Sequence, residues 1–303
     1  MSYPELEKLI DTLRARPKVT EVSERRKAID AFAKAFPPAA DVVIEKLTLG
    51  GVTAEKSRTP GDDAAGAILY VHGGGYVIGS LGSHRHMVTE AGRAAGVPVY
   101  ALDYRLAPEF PFPAAVDDTV AAYRALLAQG IAPGKIAIAG DSAGGGLVVA
   151  ALVAIRDAGL AQPACGWAIS PWIDMEALGG SMVFNAGSDP TVQADTIKEM
   201  AGLYLHGADP RSPLAAPLYA DLKGISPLLI QVGGIETLLD DSIRLAGRAA
   251  AAGVPTRLDV WPGMPHIWHI FHPILTAGRQ AIVQGGAFVK GTMAGGAPFT
   301  FRA

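Results

Sequence analysis

Two stretches of helical periodicity open the chain, and then its rhythm changes. Residues 3 to 36 read as two amphipathic helices, broken near Arg16-Pro17 and ended by Phe36-Pro37-Pro38. Proline lacks the amide donor and pushes the residue before it out of helical geometry. Segments 42–49 and 52–58 alternate polar and apolar positions, which predicts a hairpin around Gly50-Gly51. From residue 64 onward, short apolar runs at 67–71, 97–102, 136–139, 165–169, 228–232 and 257–261 alternate with helical stretches. That alternation predicts βαβ units and a mostly parallel sheet covered by helices. The interval 175–222 interrupts it, with a helix near 193–205 and then the turn-rich run Gly207-Ala208-Asp209-Pro210-Arg211-Ser212-Pro213. A long ordered insertion between strands usually carries function.

Composition narrows the classes. At 303 residues, half of them hydrophobic, the chain has enough material for a full core and is not disordered. A net charge of −3 gives no electrostatic reason to bind nucleic acid or an acidic membrane surface. No apolar run is long enough to span a bilayer, and acidic residues occupy the start, Met1-Ser2-Tyr3-Pro4-Glu5-Leu6-Glu7, where a signal peptide is apolar. A cytoplasmic protein without stable membrane association is expected. Cys165, the only cysteine, lies in the apolar run Ala164 to Ile169 and reads as a core thiol.

The chemistry is carried by two glycine-rich turns. Gly140-Asp141-Ser142-Ala143-Gly144 follows the strand run at 136–139 and precedes the helical run at 147–155. A G-x-S-x-G pentapeptide between strand and helix is a nucleophile elbow, a sharp turn that lifts a serine hydroxyl into a cleft. Upstream, His72-Gly73-Gly74-Gly75-Tyr76 follows the strand run at 67–71. Consecutive glycines expose backbone N–H groups, which are suited to an oxyanion forming as a carbonyl is attacked. Competing glycine readings fail: Gly130-Ile131-Ala132-Pro133-Gly134-Lys135 has the wrong spacing for a phosphate-binding loop.

With these motifs in order, the chain resembles the hormone-sensitive-lipase-like carboxylesterases of the bacterial α/β-hydrolases, marked by HGGG and GDSAGG. Asp103-Tyr104-Arg105-Leu106-Ala107-Pro108-Glu109, Pro111-Phe112-Pro113-Ala114-Ala115 and Ser170-Pro171-Trp172-Ile173-Asp174 are similar to further runs of that family. Phe110 departs from it, standing where relatives commonly place histidine. The resemblance implies an α/β-hydrolase fold: a mostly parallel sheet flanked by helices, with a helical cap. Cap helices are expected within 1–40, a catalytic domain over 41–303, and a cap insertion near 175–215. It further implies a small-molecule ester substrate with short to medium acyl chains, no cofactor, and a homodimer as a candidate assembly.

A serine hydroxyl needs a base, and in this fold the chain order is Ser, then Asp or Glu, then His. Of the seven histidines, His206, His266, His269 and His272 follow Ser142. The family's base occupies the loop after the last strand, which favours His266, with His269 second. The acid follows the strand run at 228–232. Glu236 is favoured over Asp240 there, although relatives more often place aspartate at the matching position. Asp240 and Asp241 read as the start of the next helix, where acids favour the dipole. Gly74, Gly75 and Ala143 are the expected oxyanion donors, with His72 and Asp141 as loop support. His84-Arg85-His86 lacks a cysteine or carboxylate cluster beside it, so no metal is expected, and Ser83 reads as a helix cap. An amidase or peptidase using the same residues, or a non-enzymatic ligand-binding relative, remain the alternatives.

Overall fold

The alternation is realised as one eight-stranded sheet in a computed structural model that describes residues 3–17 and 19–296. The chain runs α1 (Pro4–Arg14), α2 (Val22–Ala33), β1 (Val43–Leu49), β2 (Val52–Arg58), β3 (Ala67–Val71), α3 (Leu81–Ala95), β4 (Val99–Leu102), α4 (Ala114–Ala128), β5 (Ile136–Asp141) and α5 (Ala143–Asp157). It continues through β6 (Cys165–Ile169), α6 (Ser181–Phe184), α7 (Ala194–Leu205), β7 (Leu228–Gly233), α8 (Leu239–Ala251), β8 (Thr256–Trp261) and α9 (Thr276–Met293). Spatial order is β1-β2-β4-β3-β5-β6-β7-β8; β1, β2 and β4 pair antiparallel, and every other pairing is parallel.

Strands β3, β5, β6 and β7 are buried along their whole length, which is why they read as continuous apolar runs instead of alternating ones. Their side chains still alternate between two cores. Leu69, Val71, Ile136 and Ile138 join the core built with α4 and α5, whereas Ile68, Tyr70, Ala137 and Ala139 join the one built with α3 and α9. Leu9 and Leu13 of α1 close the second core beside Trp268 and Phe271. Cys165 is buried there too, and burial pushes its thiol up to about 12, so it is an inert core residue.

Two predicted boundaries move. The strand expected from residue 97 begins at Val99, because the Val97 N–H still bonds to Gly92 O at the end of α3 and Pro98 has no donor. The cap of α3 is Ser80, not Ser83: the two serines form a reciprocal capping box, with Ser83 as its third residue. Among the described residues, no helix is long and apolar enough to cross a membrane.

Candidate active site

Ser142 stands between β5 and α5 with φ 55° and ψ −121°, a conformation that non-glycine residues rarely adopt. The turn is tight because its glycines let backbones touch. A side chain at Gly144 would collide with the carbonyls of Val71 and His72, at the start of the glycine loop. The Ser142 N–H donates to Ile169 O at 2.8 Å, and its carbonyl accepts from Trp172 N–H at 3.0 Å, so the elbow is pinned to the end of β6.

The loop after β8 brings His266 to this serine. His266 Nε2 lies 2.9 Å from Ser142 Oγ, and Nδ1 lies 2.7 Å from Oε2 of Glu236. A carboxylate only accepts, so Nδ1 carries the proton and Nε2 presents its lone pair to the hydroxyl. Glu236 is fully buried and His266 nearly so, whereas Ser142 keeps partial exposure. Burial pulls the His266 imidazole down, but the adjacent Glu236 carboxylate outweighs it and holds the ring above its ordinary value.

The other candidates separate cleanly. Asp240 accepts from the N–H of Ser181 instead of approaching the imidazole, and Asp241 holds the N–H groups of Ile173 and Asp174. His269 is turned into the core against Gln231, where burial lowers it to about 3, and exposed His206 ends α7.

The glycine loop lies across the elbow. Gly74 and Gly75 have φ of +117° and +62°, and their N–H groups, like that of Ala143 at the start of α5, donate to no protein acceptor among the described residues. His72 braces the loop: Nδ1 contacts Gly73 O at 2.8 Å, and its ring stacks on Tyr104 at 4.4 Å. Burial and the neighbouring His84 lower it to about 4, which keeps it neutral. Asp141 Oδ1 accepts from Tyr70 Oη at 2.8 Å and from Gly73 N–H at 3.2 Å. Burial raises the Asp141 carboxyl, but His84 and the Tyr70 hydroxyl bring it below its ordinary value.

Two residues of this network stand in runs singled out in the sequence but are not assigned to the site there. Ser170 Oγ donates to Glu236 Oε1, and His84 faces Asp141. Both act across the fold, so only strand order reveals them. The interrupted segment also reaches the acid loop: Asn185 Nδ2 donates to Glu236 O at 2.7 Å, and Thr237 N–H donates to Asp189 at 2.9 Å. Among the described residues, no group of three His, Cys, Asp or Glu side chains is arranged to hold a metal.

A parallel sheet with a serine, an imidazole and a carboxylate aligned at its carboxyl edge defines an α/β-hydrolase. The α/β-hydrolase-fold family model matches residues 68–270. The chain is 48% identical over 297 residues to an acetyl-hydrolase of Streptomyces hygroscopicus, covering 96% of this chain and 97% of that protein. It is 38% identical to an ethyl acetate hydrolase of Pseudomonas putida over 238 residues, or 75% and 74% of the two chains. The crystal structure of an esterase from the bacterial hormone-sensitive lipase family superposes with a TM-score of 0.94 at 52% identity, covering 97% of this chain and 99% of that one. The chain belongs to the bacterial hormone-sensitive-lipase-like esterases, and it is a carboxylic ester hydrolase.

Proposed function

We propose that the protein hydrolyses short- to medium-chain acyl esters through Ser142, His266 and Glu236. The observation carrying this reading is the unbroken line from Ser142 Oγ through the imidazole to Glu236, at 2.9 and 2.7 Å. His266 Nε2 takes the hydroxyl proton as Oγ attacks the ester carbonyl. The N–H groups of Gly74, Gly75 and Ala143 hold the oxyanion, and Glu236 stabilises the imidazolium. Collapse breaks the bond to the alcohol oxygen, which leaves with the proton from Nε2. Water then loses a proton to His266 and attacks the acyl-serine, releasing acid and free enzyme.

The N-terminal helices and the 175–215 segment form the cap in this reading. Supporting it, the ion pair Arg25–Glu199 at 2.8 Å joins α2 to α7, and Met200 of α7 packs over Gly75. Such a cover limits acyl length, and the names of the acetyl-hydrolase and ethyl acetate hydrolase relatives agree with small acyl groups.

Ser142→Ala is expected to fold while losing up to about a millionfold in kcat, the benchmark for removing this nucleophile. An organophosphonate should label Ser142 alone. A chromogenic ester series from acetate to palmitate should peak among the short and medium chains, and matched anilides should turn over far more slowly. Near-native activity in folded Ser142→Ala rules the reading out.

A further inference from the structure

His84, the fourth residue of α3, takes no part in the proton relay, yet it is 1% exposed and faces the residue before the nucleophile. Its Nε2 lies 3.2 Å from Oδ2 of Asp141, with side-chain exposures of 2% and 0%. The approach is oblique, and neither atom makes a hydrogen bond to any other described group. At the other side of the ring, Nδ1 contacts Ser83 Oγ at 2.8 Å, within the capping box that starts α3. The imidazole is therefore braced from the helix and aimed at one oxygen of the carboxylate.

The second oxygen links the two motifs. Oδ1 accepts the N–H of Gly73, directly before the two glycines of the oxyanion loop, while the Asp141 backbone leads into Ser142. Tyr70, at the end of β3, fixes Oδ1 from below at 2.8 Å. The fit is close, since a side chain on Gly73 would strike Asp141 Oδ2. Without His84, Oδ1 keeps Tyr70 and Gly73 but Oδ2 has no polar neighbour holding it, and a buried carboxylate oxygen left so is unfavourable. Rotation of the carboxylate would relieve this at the expense of the Gly73 contact, displacing the loop relative to the serine.

We propose that His84 is a positioning residue for ester hydrolysis: by holding Oδ2 of Asp141 it fixes the distance between the oxyanion donors and Ser142. The assignment rests on the roles given above to Ser142, Gly74 and Gly75. Its effect belongs to the charged tetrahedral state, so it acts on kcat and leaves ground-state binding alone.

The test compares His84→Leu, His84→Asn and His84→Gln with Asp141→Asn, the double variant His84→Leu/Asp141→Asn, and His86→Gln as a control on the same helix. Each is assayed for kcat, KM, thermal melting and inhibition by an alkylboronic acid, whose adduct with serine is tetrahedral. His84→Leu should lower kcat about ten- to a hundredfold, less than deleting an oxyanion donor, with KM within about twofold. Boronate affinity should fall by the same factor. Glutamine places an amide nitrogen near the former Nε2 and should recover most of the loss. Asparagine reaches Ser83 but not Asp141, so it should behave as leucine and replaces it if His84→Leu does not fold. Adding His84→Leu to Asp141→Asn should cost little more, because both act through one carboxylate.

The proposal is overturned if folded His84→Leu or His84→Asn keeps kcat and boronate affinity within about twofold of the parent, a range too small for a lost positioning contact. It is equally overturned by a loss confined to KM, by full additivity with Asp141→Asn, or by an equal loss in His86→Gln. Activity in folded Ser142→Ala would instead remove the reading beneath it, so the two failures are distinguishable.

Discussion

Ser170 Oγ donates to Glu236 Oε1 at 2.7 Å, and the same oxygen accepts from the N–H of Ile267 at 3.2 Å. Ile267 directly follows His266, so one hydroxyl at the end of β6 braces the acid and the loop that carries the imidazole. Ser170→Ala leaves Glu236 Oε1 with the Gly233 N–H as its remaining donor and frees the Ile267 N–H, so the loss is that of a hydrogen bond to a charged group, about 1.5–3 kcal/mol at most. The expected result is a fall in kcat of roughly tenfold or more with little change in KM. Steady-state kinetics with a short-chain ester check this; an unchanged kcat would show that Glu236 is held well enough without it.

The choice of acid is open to direct comparison. Glu236→Gln should reduce kcat by up to about ten-thousandfold, the loss seen when a triad acid becomes its amide. Asp240→Asn should leave kcat nearly intact, because its carboxylate receives the N–H of Ser181 and does not touch the imidazole. An active Glu236→Gln beside an inactive, folded Asp240→Asn would transfer the role.

The pH dependence has a defined sign. A base must be neutral, and His266 is held above its ordinary 6.5 by Glu236 against the pull of burial. Rates should therefore rise with pH through a midpoint above 6.5. The residual activity of Glu236→Gln should show a lower midpoint, since the raising charge is gone. In stability the protonated ring is favoured by folding, so its contribution is full below 6.5 and is lost as pH rises through the folded midpoint. A pH series of kcat/KM on both proteins decides the matter.

Asp241 supplies a second pH effect, separate from catalysis. Burial raises its carboxyl to about 7 from 3.8; the Ile173 N–H opposes this, and the nearby Asp174 carboxylate adds to it. The protonated form suits the fold, so this stability is complete below 3.8 and declines as pH climbs through about 7. Asp241→Asn should remove up to about 1.4 kcal/mol per pH unit of that slope, the limit for one proton. Urea unfolding at mildly acidic and mildly alkaline pH measures the difference, and parallel slopes would argue against it.

Arg26 ties α2 to the loop that follows the glycines. It donates to Val77 O and Ala107 O, each at 2.9 Å, while pairing through two nitrogens with Glu109 at 2.7 and 2.8 Å. Asp30 of the same helix accepts from Ser80 at 2.6 Å. A lysine cannot reproduce the planar fork. Arg26→Lys should thus lower kcat/KM several-fold across an ester series, with the melting transition nearly unchanged. Native kinetics in this variant would uncouple α2 from the site.

Much of this was legible in the chain itself. Parallel strands buried on both faces print as apolar runs, so β3, β5, β6 and β7 were readable, and the two glycine turns fell at the ends of β3 and β5 as expected. Glu236 and His266, read from their loops, lie 2.7 Å apart, with His266 2.9 Å from Ser142 Oγ. Ser170 and His84 were not readable, because their partners lie 66 residues away in Glu236 and at Asp141, across strands whose spatial order differs from chain order. The start of α3 misled for a local reason: Ser80 and Ser83 are both competent caps, and only their reciprocal bonding decides between them.

Gly144 has a consequence for how this enzyme can change. With Val71 and His72 carbonyls against its α-carbon, the floor beneath the nucleophile has no spare volume, and even a methyl group would pry β3 from α5. Mutational drift and laboratory evolution are thereby channelled upward. Leu178, Val183 and Phe184 stand 61%, 81% and 63% exposed in the segment above the acid loop, where side chains can be exchanged without rebuilding the sheet. Substitutions should therefore be tolerated there sooner than at the base of the cleft, where Gly144 admits no side chain.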